Sequence, residues 1–151
     1  MSAAAADNDQ PSQVERRRRN LVIVRAGDSS LHPLWLQGSA DRSWDLLVSY
    51  FGADAERYRR ADVIRLDSKG AKWPALRALI ESHWDHIALY DYIWLPDDDI
   101  ACRGRDIDAQ LLRCRSGRFY KAHHLRALAQ APRPGHFVVP LVILTVDGLR
   151  T

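Results

Sequence analysis

Tyr90-Asp91-Tyr92-Ile93-Trp94-Leu95-Pro96-Asp97-Asp98-Asp99-Ile100 decides how the rest of the chain is read. A nearly continuous apolar run of this length reads as a strand buried on both faces. It ends in three consecutive aspartates, whose like charges repel unless water or a cation offsets them. At the carboxyl end of a buried strand such a cluster has the character of a divalent-metal site. In an extended segment alternate side chains share a side, so Asp97 and Asp99 are expected to face one way and Asp98 the other. Two carboxylates can hold Mg²⁺ or Mn²⁺ and leave positions for waters and substrate phosphates. The competing reading is an Asp-rich turn ahead of a helix capped near Asp106.

Upstream, Leu21-Val22-Ile23-Val24 reads as a first buried strand, with Arg25-Ala26-Gly27-Asp28-Ser29-Ser30 as its exit loop. Trp44 to Phe51 gives a second strand ending at Gly52. Asp62 to Asp67 gives a third, leaving through Ser68-Lys69-Gly70. Pro74 suits the first position of a helix, whose apolar stripe is Leu76, Leu79, Ile80, His83, Trp84 and Ile87. Strands buried on two faces and joined by helices or connections predict an α/β fold with a mostly parallel sheet flanked by helices.

In such sheets ligands bind outside the carboxyl ends of the strands. Arg25, Asp28 and Ser29 after strand one, Asp67, Lys69, Gly70 and Lys72 after strand three, and Asp97 to Asp99 after strand four all fall there. Lys69 and Lys72 can reach phosphates near a helix start, and Gly70 permits close backbone approach. Arg25 can contact a phosphate or base, or merely extend from the sheet edge. Among the five tryptophans, Trp73 beside the lysines is the candidate for stacking on a base. His123 and His124 read as loop residues rather than ligands.

The 151 residues, 46% of them hydrophobic, suffice for one modest core. Residues 1–19 carry Arg16 to Arg19 and almost nothing apolar, and read as a disordered basic tail. No aromatic residues interleave with those arginines, so nucleic acid is not the expected partner. No apolar run is long enough to span a bilayer, and no signal-peptide core precedes the first strand. Cys102 and Cys114 form no disulfide framework, which favours a reducing, cytoplasmic setting.

Four ordered motifs carry a resemblance: Asn20 to Pro33, Asp45 to Gly52, Lys69 to Pro74, and Tyr90 to Ile100. Over about residues 20–112 the chain resembles the domain-of-unknown-function family number 707, members of which are often named glycosyltransferase-like. The resemblance implies the nucleotide-binding half of a glycosyltransferase type A fold. It implies a nucleotide-sugar donor, an acceptor that is a glycan or another molecule, and Mn²⁺ or Mg²⁺ held by Asp97 and Asp99, the two ends of an Asp-x-Asp-like motif. Asp98 would then turn to the sugar or support those ligands, and the loops at 25–30 and 67–72 would face the nucleotide. Family members continue well beyond this length. Here the match fades near Leu112 into an irregular segment, 113–151, rich in Arg, His and Pro. This departure implies a C-terminally truncated or frame-shifted chain. Two alternatives follow: a non-catalytic remnant that at most binds nucleotide, and a metal-dependent phosphohydrolase built on the same aspartates with Asp67.

Overall fold

A computed structural model describes residues 18–115 and the backbone of 143–145. Five strands form one sheet: β1 (Asn20–Ala26), β2 (Trp44–Tyr50), β3 (Val63–Asp67), β4 (Tyr92–Trp94) and β5 (Ile143–Thr145). Their order is β3-β2-β1-β4-β5. The first four run parallel, and β5 pairs antiparallel with β4, setting Trp94 opposite Ile143. The chain thus has the expected α/β architecture with a mostly parallel sheet. The strand β5 lies within the segment read as irregular; its β-branched Ile143 and Thr145 suit a strand.

Among the described residues three helices cover the sheet: α1 (Lys72–Ser82), the single turn α2 (Trp84–Ile87) and α3 (Gly104–Arg115), with a 3₁₀ turn at His32–Leu36. Every residue of β1 is buried, as a central parallel strand requires. The pleat sorts its side chains. Leu21 and Ile23 join Leu47, Leu76, Leu79, Ile87 and Ile93 in the layer under α1 and α2. Val22, Val24 and Ala26 join Trp35, Trp44, Leu46, Val48, Ile107 and Leu111 under the 3₁₀ turn and α3. The sheet is therefore the middle of three layers, each face carrying its own core.

Local chemistry sets the helix ends. The helix α1 begins at Lys72, so Pro74 is its third residue rather than its first; that position still lies in the first turn, where N–H groups have no intrahelical acceptor. Asp106 does not precede α3 but sits in its first turn, and its carboxylate reaches back to accept the Arg103 N–H at 2.8 Å. Asp108 on the same helix accepts both the Ser43 N–H at 2.9 Å and the Ser43 hydroxyl at 2.6 Å, tying α3 to the start of β2. Gly104 faces the Trp35 carbonyl so closely that a Cβ there would stand 2.5 Å from it.

Arg18 and Arg19, placed in the basic tail, are among the described residues. Arg18 pairs with Asp45 at 3.0 Å and Arg19 with Asp91 at 2.5 Å, so the last two arginines of the basic run brace the amino ends of β2 and β4. Residues 1–17, His123 and His124 lie outside the described residues. Among the described residues no helix is long and apolar enough to cross a membrane.

Candidate functional site

The strand order reverses between β1 and β4: β2 and β3 lie on one side of β1, and β4, reached through α1 and α2, lies on the other. Exit loops diverge at such a switch point and leave a crevice at the carboxyl edge. A cleft of about 210 Å³ opens there, lined by Arg25 at the end of β1, Phe51 after β2, Gly70 after β3, Lys72 at the start of α1, and Asp97 and Asp98 after β4. All four parallel strands contribute.

Arg25 is 5% exposed. Its guanidinium donates to the Ser49 hydroxyl at 2.9 Å, the Ser68 hydroxyl at 2.8 Å and the Gly70 carbonyl at 2.6 Å. Among the described residues all its hydrogen-bond partners are neutral. Burial lowers its pKa from the ordinary arginine value, as expected for a cation taken from water without a counter-ion. A buried charge is usually paired. This one is held by dipoles under an open cleft.

Asp97 pairs with Lys72, whose ammonium also lies 5.0 Å from the Trp73 ring centre. Asp98 is built into the fold. Its carboxylate accepts the Gly27 N–H at 3.1 Å, and its carbonyl accepts the Leu31 N–H at 2.7 Å. These bonds draw Asp98 and Asp99 into a turn. The extended alternation expected past Leu95 therefore stops at Asp97: Asp97 and Asp98 line the cleft, while Asp99 is exposed and lies outside the lining.

The remaining sequence candidates have other positions. The Asp28 carboxylate accepts the Tyr50 hydroxyl. Tyr50 is pushed above its usual pKa, chiefly by burial and then by this bond. Ser29 is exposed. Asp67 pairs in a fork with Arg65 at 2.8 and 3.2 Å. The Lys69 ammonium donates to the carbonyls of Phe51 (2.7 Å) and Gly52 (2.6 Å), fastening the β3 exit loop to the β2 exit loop. Gly70 holds φ at 102°, which favours glycine where the chain turns into α1. Trp73, half exposed, is not among the cleft-lining residues.

Two features escaped sequence reasoning. Phe51 lines the cleft, and its only sequence signal was its place at the end of an apolar strand just before Gly52. His32 is 1% exposed, with Nδ1 2.7 Å from the Ser30 hydroxyl. The rings of Tyr58 and Trp35 meet it edge-on at 4.3 and 6.2 Å. Burial pulls its pKa down to about 4. It braces the loop whose Leu31 N–H binds the Asp98 carbonyl.

The cleft offers a divalent cation carboxylates but no complete cage. Among the described residues no three His, Cys, Asp or Glu side chains converge as a ready cage. Asp97 and Asp98 do supply the one or two carboxylates with which Mg²⁺-type ions are held jointly with substrate phosphates. Two cationic and two anionic side chains line the cleft, so it is formally neutral. Adding a divalent cation would leave a charge that a diphosphate balances.

No protein-family model matches the chain, and no curated protein matches it. A solved structure from Desulfovibrio desulfuricans G20, provisionally described as a nucleotide-diphospho-sugar transferase, superposes with a TM-score of 0.47 at 14% identity. The match covers 66% of this chain and 55% of that one, so this chain spans about half the length of the solved structure.

Proposed function

We propose that the cleft binds the diphosphate of a nucleotide sugar together with Mn²⁺ or Mg²⁺, and that the domain is the donor-binding half of a glycosyltransferase-like protein. The observation that carries this reading is the buried Arg25 guanidinium, surrounded by neutral partners and lying under a cleft whose mouth holds Lys72, Asp97 and Asp98. An anion entering the cleft would give Arg25 the directly hydrogen-bonded counter-charge that its neutral partners do not. Asp97 and Asp98 would hold the cation, with Asp99 near enough in sequence to join them through the turn. A cation held there would neutralise charge on a departing diphosphate. Lys72, displaced from Asp97, becomes a phosphate contact on a flexible stem. The first turn of α1 contains no acidic residue to compete for the anion.

The phosphohydrolase reading is less well supported. It needs a further carboxylate at the aspartates, and Asp67 is engaged by Arg65 away from the cleft lining.

Calorimetric titration with uridine and guanosine diphosphates, with and without Mn²⁺, tests the proposal. At least one nucleotide is expected to bind in a Mn²⁺-dependent way. Asp97→Asn is expected to weaken that binding by about tenfold or more, the scale of one charged ligand contact. Asp98→Asn, which keeps an oxygen for the Gly27 N–H while removing the charge, separates Asp98's charge from its support of the loop. A folded protein that binds neither nucleotide defeats the reading.

A further inference from the structure

The cleft of about 210 Å³ holds a diphosphate end but not a whole nucleotide, so the nucleoside must lie across its rim. Of the large apolar side chains exposed among the described residues, Leu34, Phe51, Ile64, Trp73, Leu89 and Leu112, Phe51 alone lines the cleft. It is 44% exposed, with its backbone tied at both the N–H and the carbonyl and its ring packed against Arg25 and Gly27. Its N–H donates to the Ala26 carbonyl at 3.1 Å. Its carbonyl accepts the Lys69 ammonium at 2.7 Å. The Arg25 guanidinium carbon lies 5.0 Å from its ring centre. The ring edge lies against Gly27, where an added Cβ would stand 2.8 Å from the Phe51 Cζ.

An aromatic side chain held this firmly, yet left open to solvent beside a charged cleft, has the properties of a stacking platform. Ordering it has already been met by the fold, so a planar ligand gains the contact without that cost. A cation beside the ring polarises it and links the platform to the anion site.

We propose that Phe51 is the nucleobase platform of this site, stacking on the base of a nucleotide whose diphosphate enters the cleft between Arg25 and Lys72. The inference rests on the diphosphate reading above. It assigns to Phe51 the stacking role that the sequence suggested for Trp73.

Affinities of the whole chain for inorganic pyrophosphate and for uridine and guanosine diphosphates, all with Mn²⁺, test it. The wild type is expected to bind at least one nucleotide about tenfold or more tightly than pyrophosphate, the range of one base–aromatic stack. Phe51→Ala is expected to erase that advantage, weakening nucleotide binding about tenfold more than pyrophosphate binding. Phe51→Tyr, which restores a ring, is expected to retain it, and Trp73→Ala is expected to leave it intact. Equal loss of nucleotide and pyrophosphate in Phe51→Ala would overturn the platform, as would no loss of either or transfer of the effect to Trp73→Ala. If Phe51→Ala fails to fold, Phe51→Leu carries the same comparison. A folded wild type that does not bind pyrophosphate removes the cleft reading itself, and with it the platform.

Discussion

Replacing Arg25 with methionine is expected both to destabilise the domain and to weaken diphosphate binding. The side chain is the tie between three strand ends. Its donors reach Ser49 on β2 and Ser68 and Gly70 after β3, while its backbone lies in β1. Methionine fills much of the volume but leaves buried acceptors without donors, at a cost of about 2–3 kcal/mol in unfolding free energy. The charge disappears as well, and anion affinity is expected to fall about tenfold or more even in the folded fraction. Arg25→Lys separates the two effects. A lysine keeps the charge but cannot reproduce a planar fork, so it should recover part of the anion binding and little of the stability. Urea unfolding and pyrophosphate titration on both variants provide the check. Wild-type affinity in a folded Arg25→Met protein would show that the buried charge has no part in binding.

Acidification is expected to unfold the domain through His32 before the Asp62 ion pairs fail. Burial between Tyr58 and Trp35 holds the folded imidazole at a pKa of about 4, against an ordinary 6.5 in the unfolded chain. Because the folded pKa is the lower one, the unfolded state binds the proton first. The stability is complete above about pH 6.5 and is lost as pH falls towards 4. A gap of about 2.5 pH units corresponds to about 3 kcal/mol, a large share of a small domain's stability. Asp62 acts in a separate window. Its hydrogen bond to Arg60, with Arg42 adding to it, lowers its carboxyl from 3.8 to about 2, so that contribution is lost only below about pH 4. Unfolding free energies measured from pH 7 to 4 on wild type and His32→Gln should show a steep wild-type slope and a flattened variant. Parallel slopes would remove His32 from the account. Protonation also loosens the loop whose Leu31 N–H fixes the Asp98 carbonyl, so nucleotide binding is expected to weaken over the same range.

The sheet was legible because its central strands are buried on both faces. Leu21 to Val24, and Ile93 with Trp94, have nowhere to place polar side chains, so their apolar runs are nearly unbroken. The convergence of exit loops was legible too, since a parallel sheet places every βα turn on one edge. What those loops do there was not. Asp98 and Asp99 turn because Gly27 and Leu31, about seventy residues away, donate to Asp98, and no local spacing encodes that pairing. Lys69 reads like Lys72 in the sequence, yet the two backbone carbonyls it reaches belong to β2's exit loop. Phe51 is an ordinary strand-end aromatic until Arg25 and Gly27 are seen against its ring. His32 carried no signal either, because the 3₁₀ turn containing it has no apolar period of its own.

The central claim is that Mn²⁺ and a nucleotide diphosphate share the cleft at the β1/β4 switch point. Paramagnetic broadening of backbone amide signals by substoichiometric Mn²⁺ in the presence of uridine or guanosine diphosphate tests it residue by residue. The expected result is loss of the Gly27, Gly70, Lys72 and Asp97 to Asp99 signals, with the nucleotide deepening the effect. Broadening centred elsewhere, such as at His83 and His86 on the helical face, with no nucleotide-dependent change at Asp97 and Asp98, would contradict it.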